Sequence, residues 1–299
     1  MSLRSTHTSS PIPHPLRVHG ALFTVAVLFS INYIVSKFGM RAFAPLSFAY
    51  LRVVGAAVVL NAFLPRDREP LQPGDQRRLA LYAFLGVVTN QALFLYGLSL
   101  TSAHVAAILI TAIPVFTLAI AMALGRERAT PAKIGGILLT VLGALIVVWG
   151  EGMEGTTRSL AGVLMLIGNC FSFALYLVLS KPMMARISAH RVVARMFAVG
   201  AVLMLPISAW SLAHQQWQAI PPRAWISLLV VIAGPTIGAY LLNAWGLKHA
   251  DSSLVAAYVC VQPVLTVVLA AVFLGERIRP EALVAGVLIF TGVWLASRK

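Results

Sequence analysis

Ten apolar runs, each close to the length of a membrane span and each bounded by charge, proline or glycine, follow one another along the chain. They cover residues 18–37, 46–64, 79–99, 103–124, 131–149, 160–180, 192–213, 224–246, 252–274 and 280–297. A helix of about 20 apolar residues crosses the roughly 30 Å hydrocarbon core of a bilayer. None of the runs alternates apolar and polar positions for long, as the ~10-residue strands of a membrane barrel do. The pattern therefore predicts an all-α polytopic membrane protein with ten transmembrane helices. Residues 1–16 stand apart: they are polar, rich in proline and without the apolar stretch of a signal peptide, and they read as a disordered tail.

The second half of the pattern repeats the first. At a shift of 149 residues Gly97 meets Gly246, Pro114 meets Pro263, Glu127 meets Glu276, Pro131 meets Pro280 and Gly143 meets Gly292. None of these is a generic apolar match, so chance is a poor account of five at one offset. At a shift of 144, NYIVSK (32–37) lies over YLVLSK (176–181), and Lys37 meets Lys181. Five helices per copy is an odd number, so the second copy enters the membrane from the opposite side. The chain is read as two inverted five-helix repeats, 17–150 and 158–297. Secondary transporters commonly share that plan, with the substrate site near the midplane where the repeats meet.

Composition agrees with the pattern, and charge orients it. With 59% apolar residues, 11% charged and a mean hydropathy of +0.87, the chain has too few charges to cover a water-facing surface; soluble domains carry about 25%. The net charge of +14 comes from Lys and Arg placed singly or in pairs between apolar runs. Nucleic acid would call for a clustered basic face instead, and no nucleic-acid partner is expected. Counted with a cytoplasmic N-terminus, 16 Lys and Arg fall on the cytoplasmic side and 6 on the other, with Arg52 left inside the second span. The positive-inside rule then puts both termini, tail included, in the cytoplasm. Cys170 and Cys260 lie within apolar runs and read as packing residues, not as a disulfide or metal pair.

All nine Asp and Glu fall in loops or at span ends. Intramembrane carboxylates are the usual relays of ion-coupled pumps, so coupling is either absent or rests on a group such as His104. Glu127 and Glu276 repeat, yet each sits beside arginine at a span end, where an interfacial ion pair accounts for it. Lys37 and Lys181 close spans 1 and 6; they either snorkel to the headgroups or pair across a gate. Arg52 lies about two turns into span 2 and needs a partner or water there, unless it snorkels outward. Pro114 and Pro263 interrupt spans 4 and 9 and free the carbonyl four residues back, for a packing kink or for a site between the repeats.

Uncharged polar groups in mid-span are the candidate substrate contacts: Asn32, Asn90, Gln91, Thr111, Asn169, Tyr176, Tyr240, Asn243, Tyr258 and Gln262. Gln91 and Tyr240 are equivalent under the repeat, and Tyr258 and Gln262 lie one turn apart on one expected helix face. Each alone is explained equally by an interhelical hydrogen bond, but as a group they exceed what packing needs. The set suits a zwitterionic or neutral substrate: a dianion would want further buried cations, and a cationic drug a buried carboxylate.

Segments LYGLSLTSAHVAAILITAIPVFTLAIAMALGRERATPAKIGGILLTVLGALIVV (95–148) and NAWGLKHADSSLVAAYVCVQPVLTVVLAAVFLGERIRPEALVAGVLIFTGVWLA (243–296) share one succession. A helix ends near Gly-Leu and a TSA or DSS turn follows. A mid-helix proline comes next, then a Leu-Gly-Glu type helix end, then Pro and a last helix containing Gly. In the first copy Arg126 intervenes, giving Leu-Gly-Arg-Glu. This succession resembles the EamA-type tandem domains of the drug/metabolite transporter superfamily, and the whole chain resembles most the bacterial YddG-type exporters of aromatic amino acids. The resemblance implies a secondary transporter or facilitator that exports amino acids, aromatic and other neutral ones, across the inner membrane by alternating access. An exporter of other neutral metabolites or drugs would use the same scaffold. A monomer in the lipid bilayer is expected, with no cofactor and no metal. From another class, a membrane-embedded enzyme would want a nucleophile with its base or a metal cluster, and the chain holds no HExxH, GxSxG or paired intramembrane carboxylate.

Overall fold

The computed structural model describes residues 15–63, 72–126, 128–154, 157–250, 252–276 and 280–296. The expected tail over residues 1–16 falls almost wholly outside the described residues, as does Glu127. Ten long helices carry the described chain: α1 (Pro15–Gly39), α2 (Pro45–Phe63), α3 (Asp75–Leu100), α4 (Ala103–Ala123), α5 (Pro131–Glu154), α6 (Thr157–Arg186), α7 (Ala189–Ala213), α8 (Pro222–His249), α9 (Leu254–Leu274) and α10 (Pro280–Ala296). Eight are long and apolar enough to cross a membrane, while α5 and α10 carry the shorter apolar stretches Pro131–Ile146 and Leu283–Leu295. No strand occurs among the described residues.

Local chemistry sets the helix ends. Proline opens α2, α5, α8 and α10, where its missing N–H leaves nothing unsatisfied. Ser102 caps α4, its hydroxyl accepting from the Val105 N–H at 3.4 Å. Gly125 and Gly275, at φ 68° and 66°, follow α4 and α9 in the left-handed region that favours glycine. The outer faces of α7, α9 and α10 expose Trp210, Val272 and Val287 among other large apolar side chains. Lipid covers such faces in a bilayer, whereas in water they would associate.

Two bonds establish the inversion. Lys37 Nζ, at the end of α1, donates to Thr101 O at 2.7 Å, just past the end of α3, so α1 and α3 finish at the same end of the bundle. Arg186 Nη2, at the end of α6, donates to Asp75 Oδ1 at 2.9 Å, at the start of α3. The first helices of the two repeats, α1 and α6, therefore run in opposite directions.

Packing contacts exchange under the repeat as well. A Cβ on Gly97 would lie 3.0 Å from Leu166 Cγ, and one on Gly246 2.7 Å from Leu22 Cδ2; Leu22 and Leu166 are themselves 144 residues apart. Thus α3 packs on α6 as α8 packs on α1. Between α5 and α10, Gly143 faces Ala285 and Ile289, while Gly292 faces Gly136 and Thr140, the counterparts at 149 residues. Small residues let these backbones approach closely, which is how helices associate where lipid removes the hydrophobic drive.

Four helices are interrupted, in counterpart pairs. α3 and α8 each slip into a π turn, at Phe84–Thr89 and Ile232–Gly238. α4 breaks between Ile110 and Ile113, and α9 tightens to a 3-10 turn over Tyr258–Val261. Proline explains the second pair, since Pro114 and Pro263 cannot donate to Ile110 O and Val259 O. Within the π turn of α8, Pro235 frees Val231 O in the same way.

Candidate functional site

Where the four interruptions converge, the helices surround a cavity of about 50 Å³, room for a few waters. Its wall is built from Phe29, Asn32 and Tyr33 of α1, Arg52 of α2, Asn90, Gln91 and Phe94 of α3, and Ile110 and Ile113 of α4. The second repeat adds Asn169 and Phe173 of α6, Tyr240 of α8, and Val259 and Gln262 of α9. Four pairs in this wall are counterparts: Phe29 and Phe173 at a shift of 144, and Gln91 and Tyr240, Ile110 and Val259, Ile113 and Gln262 at 149. One pair touches, Gln91 Nε2 donating to the Tyr240 hydroxyl at 3.1 Å. Counterparts can meet only beside the pseudo-two-fold axis, so that axis passes through the cavity.

Of the side chains expected from sequence, Asn32, Arg52, Asn90, Gln91, Asn169, Tyr240 and Gln262 meet in this wall. Four others lie elsewhere. Thr111 donates to Ile108 O within α4, Tyr176 packs its ring on Gly86 and Phe173, and Asn243 is buried on α8 without lining the cavity. Tyr258 lies 2.6 Å from His19 Nδ1 through its hydroxyl. The expected shared face of Tyr258 and Gln262 fails because the chain between them is a 3-10 turn. Four residues round such a turn end about 120° apart, against about 40° in an α-helix. Pro114 and Pro263 stand beside the wall, and the residues whose carbonyls they free, Ile110 and Val259, are in it.

The freed backbone groups organise the polar wall. In the π turn of α3, Ser172 Oγ donates to Leu85 O at 2.9 Å. The Tyr240 hydroxyl, 2.8 Å from Gly86 O and 3.0 Å from Asn90 Oδ1, has one proton to share between those two acceptors. Asn169 Nδ2 donates to Asn90 O at 2.8 Å, Tyr33 donates to Gln262 Oε1 at 3.3 Å, and Ser36 Oγ donates to Asn32 Oδ1 at 3.0 Å.

Among the described residues Arg52 is the only charged one in the wall, and it is 1% exposed. One turn on, Gly55 makes room for it: a Cβ there would sit 2.6 Å from Ile232 Cδ1, so glycine lets α2 lie against the π turn of α8. In that turn Thr236 donates its proton to Val231 O at 2.7 Å, the carbonyl that Pro235 frees. The Thr236 oxygen is left to accept, and it takes Arg52 Nε at 3.0 Å and Nη2 at 2.8 Å. A neutral hydroxyl does not balance a cation, and among the described residues no carboxylate pairs with Arg52. Holding a buried charge without a counter-charge costs on the order of several kcal/mol.

Thr236, Phe29 and Phe173 belong to this site without having been expected in it. A hydroxyl beside a mid-span proline was the available signal for Thr236. Extending the NYIVSK and YLVLSK match three residues back would have paired the two phenylalanines.

A second cluster lies at the Lys37 end. Glu276, just past α9, accepts from Lys37 Nζ at 3.2 Å and from the Ala103 N–H at 2.9 Å. It meets His104 twice, at the backbone N–H (3.2 Å) and at Nδ1 (3.0 Å). The carboxylate thus joins α9 to α1 and to the N-terminus of α4, whose free N–H groups favour an anion. Burial pushes this carboxyl up, but the His104 bond, the Ala103 N–H and the Lys37 charge outweigh it and hold the group at about 2. Sequence reading expected an ion pair with the neighbouring Arg277, which lies outside the described residues; the partners found come from two other helices. At the opposite end Lys181 Nζ donates to Ala250 O at 3.4 Å, the counterpart of the Lys37 bond to Thr101 O.

Both halves of the chain match the model of the EamA-like transporter family, over residues 17–149 and 160–298. An "Uncharacterized transporter" of Archaeoglobus fulgidus is 26% identical over 95% of this chain and 98% of its own length. A "Probable terminal-alkyne amino-acid exporter" of Streptantibioticus cattleyicolor is 28% identical over 93% of each chain. A "Probable amino-acid metabolite efflux pump" of Salmonella typhimurium is 26% identical over 91% of each. A solved crystal structure, 18% identical, superposes with a TM-score of 0.68 over 95% of this chain and 98% of that one, a likeness of fold alone.

Proposed function

This chain belongs to the EamA-like transporter family, and from that premise we propose that it exports amino acids, aromatic and other neutral ones, across a bacterial inner membrane. The observation that carries this reading is the cavity between the inverted repeats, walled by amides, phenols, phenyl rings and Arg52, with no carboxylate among the described residues that line it. Amides and hydroxyls suit the polar end of an amino acid, and the rings of Phe29, Phe94 and Phe173 offer faces and edges to an apolar or aromatic side chain. Relatives named for amino-acid export support the same class.

With room for only a few waters, the cavity has to widen to hold an amino acid, and the repeats part to widen it. Alternating access supplies that motion, one repeat rocking against the other to open each end in turn. With both termini in the cytoplasm, the Lys37, His104 and Glu276 cluster lies at the outer end and Lys181 at the inner one. The protein works as a monomer, as a secondary transporter or facilitator, without cofactor or metal.

Purified protein in liposomes tests this reading. Labelled phenylalanine and leucine outside should exchange for unlabelled amino acid trapped inside, well above protein-free vesicles. Absence of exchange for every common amino acid ends the substrate assignment.

A further inference from the structure

Among the described residues of the cavity wall, two fully buried side-chain atoms are left without partners, and they are of opposite character. Arg52 Nη1 is a cationic donor with no acceptor, although Nε and Nη2 of the same group are both engaged by Thr236. Gln91 Oε1 is a neutral acceptor with no donor. Its orientation follows from Tyr240: the Gly86 carbonyl beside that hydroxyl only accepts, so Gln91 has to present Nε2 to it, which leaves Oε1 over. Buried polar atoms are rarely left unpaired, and a charged one least of all. The same wall thus holds a free cationic N–H and a free carbonyl oxygen, among rings and amides, with no resident anion among the described residues.

We infer that the cavity recognises the free carboxylate and ammonium of an α-amino acid, Arg52 Nη1 binding the carboxylate and Gln91 Oε1 accepting from the ammonium. This deepens the proposed function and rests on it. A carboxylate supplies the counter-charge that Arg52 lacks, and as a charge-assisted hydrogen bond it is the strongest contact open to the wall. The substrate's side chain is then left to the phenylalanine rings. Selectivity against amines follows: a substrate without a carboxylate would bring a second cation against a buried guanidinium. Arg52 also has no charged counterpart. Gly200 contacts Val87 in the π turn of α3 as Gly55 contacts Ile232 in that of α8, and three residues before Gly200 stands Phe197. The charged anchor therefore exists on one side of the axis, as an asymmetric ligand requires.

Liposome exchange of phenylalanine and leucine is compared for wild type, Arg52→Lys, Arg52→Gln and Gln91→Leu. Unlabelled phenylalanine, phenethylamine and 3-phenylpropionate serve as competitors. Unfolding temperature in detergent is read alongside. Arg52→Gln should lose about 10- to 100-fold of exchange, the scale of one hydrogen bond to a charged group, while unfolding at the same temperature as wild type or higher, because an unbalanced buried charge is gone. Arg52→Lys should recover part of the exchange. In wild type, phenethylamine should fail to compete and 3-phenylpropionate should compete weakly; in Arg52→Gln neither should compete. In Gln91→Leu, phenylalanine should lose most of its advantage over 3-phenylpropionate. Wild type that exchanges amino acids while Arg52→Gln does so equally, or while phenethylamine competes as well as phenylalanine, overturns the Arg52 assignment and leaves the transport reading standing. Wild type that exchanges no amino acid overturns both. An Arg52→Gln protein that unfolds at lower temperature marks Arg52 as structural, and that too overturns the assignment.

Discussion

Two regions of this molecule lie on the same pseudo-two-fold axis and have aged differently. Between α5 and α10, Gly143 and Gly292 are counterparts and remain the same residue, each set against the other's helix. In the cavity Phe29 and Phe173 remain alike, but the counterparts that bring polar groups have diverged, Gln91 against Tyr240 and Ile113 in the place of Gln262. One reason covers both. A helix contact that maps onto itself poses the same steric problem to each half, and glycine solves it twice. An amino acid has no two-fold symmetry, so a wall that binds one gains nothing from being alike on its two sides.

The steric half of that comparison carries the largest expected effect. A Cβ on Gly292 would meet Thr140 Oγ1 and the Gly136 carbonyl, which is backbone and cannot swing away. Gly292→Val should cost about 3 kcal/mol or more, seen as a collapse in monodisperse yield from size-exclusion chromatography. Gly286 on the same helix has nothing within 4 Å of its Cβ position, and Gly286→Val should stay within about 0.5 kcal/mol of wild type. Equal behaviour of the two variants would break the comparison at its root.

Next comes the junction around Arg52, set against its apolar counterpart. Thr236→Val keeps the shape of the side chain but removes the acceptor for Arg52 Nε and Nη2 and the donor to Val231 O. It should lower stability by about 2 kcal/mol and exchange by about tenfold. The counterpart of Thr236 is Val87, against Gly200 in the π turn of α3. Val87→Thr adds a hydroxyl that can bond back within its own helix and should change stability by under about 1 kcal/mol. Thermal unfolding and liposome exchange on the pair decide whether the two junctions differ as described.

The ends of the bundle give a smaller effect with a clear pH signature. Because the Glu276 carboxyl is held at about 2, its contribution is complete above the ordinary carboxylate value of about 4.3 and is lost as pH falls from there toward 2. Glu276→Gln keeps an acceptor for the Ala103 N–H while losing the charge opposite Lys37 and His104, at about 1 kcal/mol. The difference in unfolding temperature between wild type and Glu276→Gln should hold or widen from pH 8 to pH 5, then narrow below about pH 4. Narrowing already between pH 7 and pH 5 would mean that the carboxylate is not held down as its contacts require.

Helix number and inversion were legible in the sequence because apolar length and repeated Gly and Pro positions depend on local chemistry. Expected spans differ from the helices by a few residues, as at 79–99 against Asp75–Leu100. The π turns were not legible: a slip of one residue in an apolar run changes no composition, and only Pro235 hinted at the one in α8. Tyr258 and Gln262 share one face only if the chain between them is α-helical, and nothing between them in the sequence marks the 3-10 turn there. Arg52 was singled out as a residue needing a partner, but Thr236 is 184 positions away, and hydroxyls are too common in spans for one to be chosen. Lys37 and Glu276 were likewise named separately, and only the fold joins them.

The smallest expected effect comes from making the wall symmetrical again. Ile113→Gln would match Gln262 across the axis and place a second amide in the cavity. Since the space there admits water, the amide can be solvated, and stability should change by under about 1 kcal/mol. Selectivity should move instead: leucine loses an apolar contact while glutamine gains a polar one, shifting their exchange ratio by about three- to fivefold toward glutamine. A folded Ile113→Gln protein with an unchanged ratio would place this side of the wall out of the substrate's reach. An unfolded one would show that divergence at this pair serves packing, and the contrast with Gly143 and Gly292 would then have to rest on Gln91 and Tyr240 alone.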